Sequence, residues 1–262
     1  VNDLLPAAPH DMHVLIGDDF PYGAADAASL IRDSSRVAGF LTGDESDGEI
    51  YGDDGAPNAE RKAARARRLW SLFPELTVYN GGMTNGHVGT FAGMADVQGM
   101  DVYTAACAPH ITDGVFPPLR GPFDYLRNAR NNHMPWPTWL YSQGLHGGWN
   151  FGPSSAPFHR RPDRQEILVQ ALSVLAAGGK GIMWFQTSLS EADHDPRRWE
   201  AITESNRMVR AVRSWAREGD VMAPAPAVRG NALAEAIAGP RAIVVPVINL
   251  AFTEEVNDVL CI

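Results

Sequence analysis

Cysteines, long apolar runs and basic residues are all scarce in this sequence, and each shortage excludes a class of protein. The two cysteines, Cys107 and Cys261, lie far apart and match no zinc-ligand spacing, so we predict neither a disulfide framework nor a metal site. No apolar run approaches the roughly 18 residues of a membrane-spanning helix. The 22 Lys and Arg against 31 Asp and Glu give a net charge of −9, which repels nucleic-acid phosphates. We therefore expect neither a membrane nor a nucleic acid as partner.

Short apolar segments alternate with longer segments of helical period along most of the chain. This order is typical of parallel strands that are buried on both faces and joined by crossover helices. The pattern predicts strands at 13–19, 37–43, 76–80, 95–103, 138–143 and 181–187. It predicts helices near 24–33, 57–72, 123–131, 164–177 and 197–218.

The predicted fold class is α/β, with residues 1–220 forming a parallel (β/α)8 barrel of the TIM type. The chain has 262 residues, 45% of them hydrophobic, which is enough for one such domain. A closed barrel needs eight strands, so we interpret the predicted strands as the third to the eighth and expect the first two upstream of Val1. Residues 221–262 begin with a Pro/Ala-rich linker, and a hairpin turn is predicted at Ala238-Gly239-Pro240. We expect this segment to begin a separate β-sandwich-like module.

Three segments carry a resemblance to a known family. They are GFLTGDES at 39–46, ADVQGMDVY at 95–103 and QALSVLAAGGKGIMWFQTS at 170–188. In this order they resemble the fourth strand, the sixth strand, and the seventh helix with the eighth strand of clan-A-type glycoside hydrolases and their relatives. The resemblance implies a barrel acting on carbohydrate, with Glu45 as the general acid. The chain departs from the family at Asp44, where the strict family has Asn, and at Gln143, where retaining enzymes place a carboxylate.

Hydrolysis of a glycosidic bond needs one carboxylic acid to protonate the leaving oxygen and, usually, a second carboxylate as nucleophile or base. Besides Glu45, we favour Asp101 and Asp18 as catalytic residues, because a strand end holds a group more rigidly than a loop does. The other candidates for the second carboxylate are Asp19, Glu191, Asp193 and Asp195. A structural role for Asp101, as a buried aspartate bonded to strand ends, stays an equal alternative.

Aromatic and polar residues on strands, or in the loops after them, are candidates for substrate binding. Sugar rings stack their C–H faces on aromatic rings, and their hydroxyls need polar neighbours. The predicted substrate-binding residues are Asp44, Asp19, Tyr103, Tyr141, Gln143, His146, Trp149 and Trp184. Trp184 is the best candidate for the floor of a subsite. Three further tryptophans lie on predicted helices and are expected to pack between the helices and the barrel, namely Trp70, Trp199 and Trp215.

The sequence thus predicts a glycoside hydrolase acting on an oligo- or polysaccharide, without cofactor or metal, in an extracellular or periplasmic location. Two alternatives stay open. A carbohydrate-binding protein without activity is favoured by Gln143, since an amide replaces the expected carboxylate. A metal-assisted hydrolase would need ligands such as His87, His110 and His146, but no two of these share a ligand-type spacing.

Overall fold

A computed structural model describes most of the chain as two compact units. The residues that it describes are 13–17, 34–43, 58–83, 88–103, 118–144, 162–185, 196–222, 227–229 and 232–250. One unit comprises Val1–Met100 with Asn132–Pro137, and the other comprises Asp101–Asn131 with Thr138–Ile262.

The first unit contains a sheet of three parallel strands in the order β1-β2-β3, namely Val14–Gly17, Val37–Thr42 and Thr77–Asn80. Helix α1, Asn58–Leu72, follows β2. Ile16, Phe40 and Val78 lie side by side across the three strands and are almost completely buried. Ala66 and Leu69 of α1 belong to the same buried cluster. The apolar stripe of the helix and the apolar strands therefore form one core, as burial of hydrophobic surface requires.

Asp96 ties α1 to the sheet in this unit. One of its carboxylate oxygens accepts two hydrogen bonds of 2.8 Å, from the indole N–H of Trp70 and from the backbone N–H of Val78. The backbone N–H of Asp96 in turn donates to the carbonyl of Val78 at 2.9 Å. Trp70 is partly buried and packs against this core cluster, and the Asp96 carboxylate satisfies its indole N–H.

The second sheet has the strand order β4-β5-β6, formed by Gln98–Asp101, Thr138–Gln143 and Gly181–Phe185. The strands β5 and β6 pair in parallel. The helices of this part of the chain are α2 (Gly121–His133), α3 (Arg164–Ala177), α4 (Pro196–Ala211) and α5 (Arg213–Glu218). Every residue of β5 is buried, the apolar and aromatic ones in its middle as well as the polar Thr138, Ser142 and Gln143.

Six short strands follow α5. They are β7 (Asp220–Val221), β8 (Ala227–Arg229), β9 (Ala232–Ala234), β10 (Ile237–Ala238), β11 (Ile243–Val244) and β12 (Val247–Asn249). They form two antiparallel sheets, in the orders β11-β10-β7 and β12-β9-β8. The hairpin predicted around Gly239 is present, and the Gly239 N–H closes its turn by donating to the Ala242 carbonyl at 2.9 Å.

The predicted (β/α)8 barrel is wrong. Among the described residues the parallel strands form two three-stranded sheets, and no closed barrel is present. Strands β1 and β6 are edge strands in these sheets, whereas a barrel requires every strand to pair on both sides. The prediction failed because a β-α alternation is common to closed barrels and to open sheets, so the pattern alone does not determine closure. The helix predicted at 24–33 lies outside the described residues.

Candidate functional site

The carboxyl ends of β5 and β6 carry aromatic and polar side chains on one face of the sheet. In the parallel register, Tyr141 lies beside Met183 and Gln143 lies beside Phe185. Residues beside each other in register share a face, and residues two apart along a strand do so too. We name this surface the Tyr141 face; it consists of Trp139, Tyr141 and Gln143 of β5 with Gly181, Met183 and Phe185 of β6.

Asp101 and Tyr103 lie at the end of β4 and join the same face. The Tyr103 and Phe185 rings stack with centroids 5.1 Å apart and an interplanar angle of 19°. Strand β5 lies between β4 and β6, whose backbones are therefore roughly 10 Å apart, so both rings must lean over β5 at the level of Gln143. The Val102 N–H donates to the Tyr141 carbonyl at 3.5 Å, so the chain stays beside β5 just past the end of β4, and Asp101, two residues before Tyr103, lies on the same face as Tyr103.

The residues of this face at the end of β4 are more exposed than those of β5. Asp101 and Tyr103 are partly exposed, whereas Tyr141 is 8% exposed and Gln143 is fully buried. The Tyr141 ring contacts the Trp139 ring at 5.1 Å with a tilt of 58°, which extends the aromatic row towards the start of the strand. Asp101, Tyr103 and Phe185 are therefore partly exposed residues of this face, although Asp101 Oδ1 and the Tyr103 hydroxyl are buried atoms.

The end of β5 is held in place by Gln170 of α3. Its side-chain oxygen accepts the Gln143 backbone N–H at 2.7 Å, and its side-chain nitrogen donates to the Gln143 carbonyl at 3.3 Å. Both glutamines are fully buried. Gln170 was not among the predicted site residues. A signal for it was present, because it interrupts the apolar stretch ILVQALSVLAA, and a buried polar group needs a hydrogen-bond partner.

We expect Gln170→Ala to lower the free energy of unfolding by about 2–4 kcal/mol, because the substitution removes two hydrogen bonds to buried backbone groups of Gln143. Urea unfolding followed by circular dichroism measures the loss. The matched control is Gln165→Ala on the exposed side of the same helix, which should change stability by less than about 0.5 kcal/mol. Equal stability of the two variants would show that Gln170 does not hold the strand end.

Trp184 lies on the opposite face of the sheet from Tyr141. It is beside Ser142 in register, and it packs against Ile167 of α3 with Ala201 and Ile202 of α4. Its indole N–H donates to the Asn206 side-chain oxygen at 3.2 Å. The structure thus places the predicted subsite floor in the helix layer, because alternation along β6 directs Trp184 away from the face that carries Asp101.

The structure brings together four of the predicted residues and leaves six undescribed. Asp101, Tyr103, Tyr141 and Gln143 share the Tyr141 face, and Phe185 joins them although it was not among the predicted site residues. The predicted residues that lie outside the described ranges are Glu45, Asp18, Asp44, Asp19, His146 and Trp149. Within the described ranges, no group of three or more His, Cys, Asp or Glu side chains is placed to hold a metal ion.

Comparison with known proteins gives no assignment for these residues. No protein-family model and no curated protein matches the chain. One similar solved structure is the Amycolatopsis orientalis BexX/CysO complex, with a TM-score of 0.42 and 13% identity over 85% of this chain and 77% of that one. Of the helices that the structure describes, none is both long enough and apolar enough to cross a membrane.

Proposed function

We propose that the chain binds carbohydrate at the Tyr141 face and hydrolyses a glycosidic bond, with Asp101 as a catalytic carboxylate and Glu45 as the general acid. The role of Glu45 rests on the resemblance of its segment to glycoside hydrolases, since it lies outside the described residues. A polysaccharide substrate would favour an extracellular or periplasmic location.

The observation that supports the proposal is that Asp101 lies on the same face as a group of aromatic rings. The Tyr103–Phe185 stack and the Trp139–Tyr141 pair supply four aromatic rings on that face. Aromatic rings suit the C–H faces of sugars, and Tyr103 and Phe185 are the partly exposed rings of this face. A carboxylate beside these groups is the one side chain of the set that can act as a base or stabilise positive charge.

The proposed reaction consumes one water molecule. Glu45 gives its proton to the glycosidic oxygen, so that the bond to the anomeric carbon breaks and positive charge develops on the sugar ring. Asp101 accepts a proton from the attacking water, whose oxygen bonds to the anomeric carbon. The proton then returns to Glu45 through solvent, which restores both groups.

A second function, sugar binding without hydrolysis, is favoured by the amide side chain of Gln143. This residue stands where the family resemblance leads one to expect a nucleophilic carboxylate, and its backbone is fixed by Gln170 in the buried base of the face. A neutral amide can hydrogen-bond sugar hydroxyls, but it is not the carboxylate nucleophile that retaining enzymes use. Activity therefore distinguishes the two functions.

The test is a screen of the chain against a panel of polysaccharides with detection of new reducing ends. We expect release from at least one glycan, and we expect Glu45→Gln to lower it by at least about 100-fold, the range for loss of a general acid. Glu75→Gln, at an exposed loop position, is the matched control and should keep full activity. Glycan binding without release would replace hydrolysis by the binding function, and absence of both would refute the proposal.

A further inference from the structure

Two neighbouring cavities lie against helix α5. The first has a volume of about 410 Å³ and is lined by Ser214, Trp215, Glu218, Pro240 and Arg241. The second, of about 630 Å³, shares Ser214 and Glu218 with the first and adds the cationic side chains of Lys180, Arg213 and Arg217. Both volumes fall in the range of about 300–1,000 Å³ that is typical of small-molecule sites. We name the pair the α5 cleft.

The indole of Trp215 is fixed at one wall of the α5 cleft. Its N–H donates to the Ala242 carbonyl at 3.0 Å, which anchors the ring to the turn between β10 and β11. Gly239 in that turn leaves room for the ring, since a Cβ built there would lie 2.7 Å from the indole Cδ1. The indole is only half-buried. With the exposed ring of Pro240, it offers a preorganised apolar wall.

The cleft carries an excess of positive charge in a chain whose net charge is −9. Among the described residues, four cations and one carboxylate line it, and that carboxylate, Glu218, pairs with Arg217 at 2.8 Å. The Lys180 ammonium donates to the carbonyls of Ala216, at 2.9 Å, and of Gly219, where it neutralises the end of α5.

The charges beside Lys180 act on its pKa in both directions. Burial lowers the pKa of Lys180, whereas the charge of Asp220 raises it and that of Arg130 lowers it further. The pKa of Asp220 stays below its usual value: burial raises it, but the hydrogen bonds from Arg130 and the Val221 N–H and the charges of Arg130 and Lys180 outweigh that effect. Two cations of the cleft, Arg213 and Arg241, are exposed and form no salt bridge in the described structure. They are available to bind an anion.

We propose that the α5 cleft is a second binding site, for an acidic oligosaccharide that carries carboxylate groups, such as a chain of uronic acids. One sugar ring stacks on the wall formed by Trp215 and Pro240, and carboxylates of the same chain bind the guanidinium groups of Arg213 and Arg241. Arginine suits this role because its planar fork matches a carboxylate. The acidic remainder of the chain repels such a ligand, so binding is expected at the cleft alone and is expected to weaken as salt is raised.

The test is titration of the full chain with an oligogalacturonate, followed by Trp fluorescence and calorimetry. We expect the double variant Arg213→Gln, Arg241→Gln to weaken binding by about 10-fold, because it removes two exposed charge pairs and each contributes up to about fivefold in affinity. Arg207→Gln, an exposed charge on α4 outside the cleft, should bind as the unaltered chain does. The methyl-esterified oligomer has the same rings without the charges, so it should bind at least 10-fold more weakly.

Further variants and probes distinguish ring stacking and charge from non-specific anion binding. Trp215→Phe keeps a ring at the wall and should retain most of the affinity, whereas Trp215→Ala should lose it. Inorganic sulfate that binds as tightly as the oligomer would reduce the cleft to an adventitious ion site and overturn the proposal. Unchanged affinity in the double arginine variant would also overturn it. Asp101→Asn and Glu45→Gln should leave this affinity unchanged, so the result is independent of hydrolysis at the Tyr141 face.

Discussion

Replacing Asp101 by asparagine is expected to lower kcat for glycoside hydrolysis by about 10²–10⁴-fold, with little change in substrate affinity. The substitution keeps the size and the hydrogen-bonding capacity of the side chain, but it removes the negative charge and the ability to accept a proton in the transition state. Steady-state kinetics on the glycan found by the panel screen give kcat and KM separately, and a fall in kcat at constant KM is the mark of lost transition-state interaction.

The control for Asp101 is Asp124→Asn. Asp124 lies on α2, is 34% exposed and forms an i,i+4 ion pair with Arg120 at 2.9 Å. Its loss should cost no more than about 0.5 kcal/mol in stability and should leave kcat unchanged. If Asp101→Asn instead keeps full kcat and lowers the thermal midpoint, Asp101 is a structural aspartate, the alternative that the sequence left open.

Replacing Glu235 by alanine is expected to lower the free energy of unfolding by about 3–5 kcal/mol. Glu235 forms an ion pair with Arg127, and the two side chains are 1% and 7% exposed. Removing one partner of a buried pair leaves the other charge in the interior without its counterion, which costs far more than the pair itself contributes. Burial lowers the pKa of Arg127 and the charge of Glu235 raises it. Arginine nevertheless stays charged at neutral pH, so the unpaired charge cannot be removed by deprotonation.

The other contacts of Arg127 explain why stability should depend strongly on this ion pair. Its guanidinium also donates to the Ala176 carbonyl at 2.9 Å, near the end of α3, and lies 5.3 Å from the centre of the Phe123 ring. One side chain therefore ties α2 to α3 and to the segment between β9 and β10. Loss of Glu235 removes the connection to the segment between β9 and β10 and leaves the hydrogen bond to the Ala176 carbonyl.

Urea unfolding measures the effect against two controls. Glu204→Ala removes the exposed partner of Arg164 and should cost no more than about 1 kcal/mol. The double variant Arg127→Met with Glu235→Leu removes both charges and should recover most of the stability lost in Glu235→Ala. A loss below 1 kcal/mol in Glu235→Ala would contradict the buried-pair account.

Local signals in the sequence predicted several elements closely. Strand β5 spans Thr138–Gln143 and helix α3 spans Arg164–Ala177, as predicted. The helix begins with a capping box between Asp163 and Glu166 and ends at Gly178, whose φ of 83° suits glycine. Such caps act within a few residues, so they are visible in the sequence itself.

Features that depend on the register between strands could not be predicted in the same way. Trp184 and Tyr141 look alike in sequence, since both are aromatic residues near strand ends. Their faces differ because Trp184 lies beside Ser142, and Ser142 alternates with Tyr141 along β5. A shift of one residue would have exchanged the two faces. Closure of a sheet into a barrel also depends on pairing between strands that are far apart in sequence. The barrel prediction therefore failed although the individual strands were predicted.

Hydrogen–deuterium exchange with and without bound glycan tests the Tyr141 face most directly. The probe is the oligosaccharide product of the panel glycan that shows release or binding, added to the intact chain at saturating concentration. We expect slower exchange at Val102, Tyr103 and Gly144, next to the proposed contacts, with little change along α1. Protection that is absent from these strand ends and confined to other parts of the chain would contradict carbohydrate binding at the Tyr141 face.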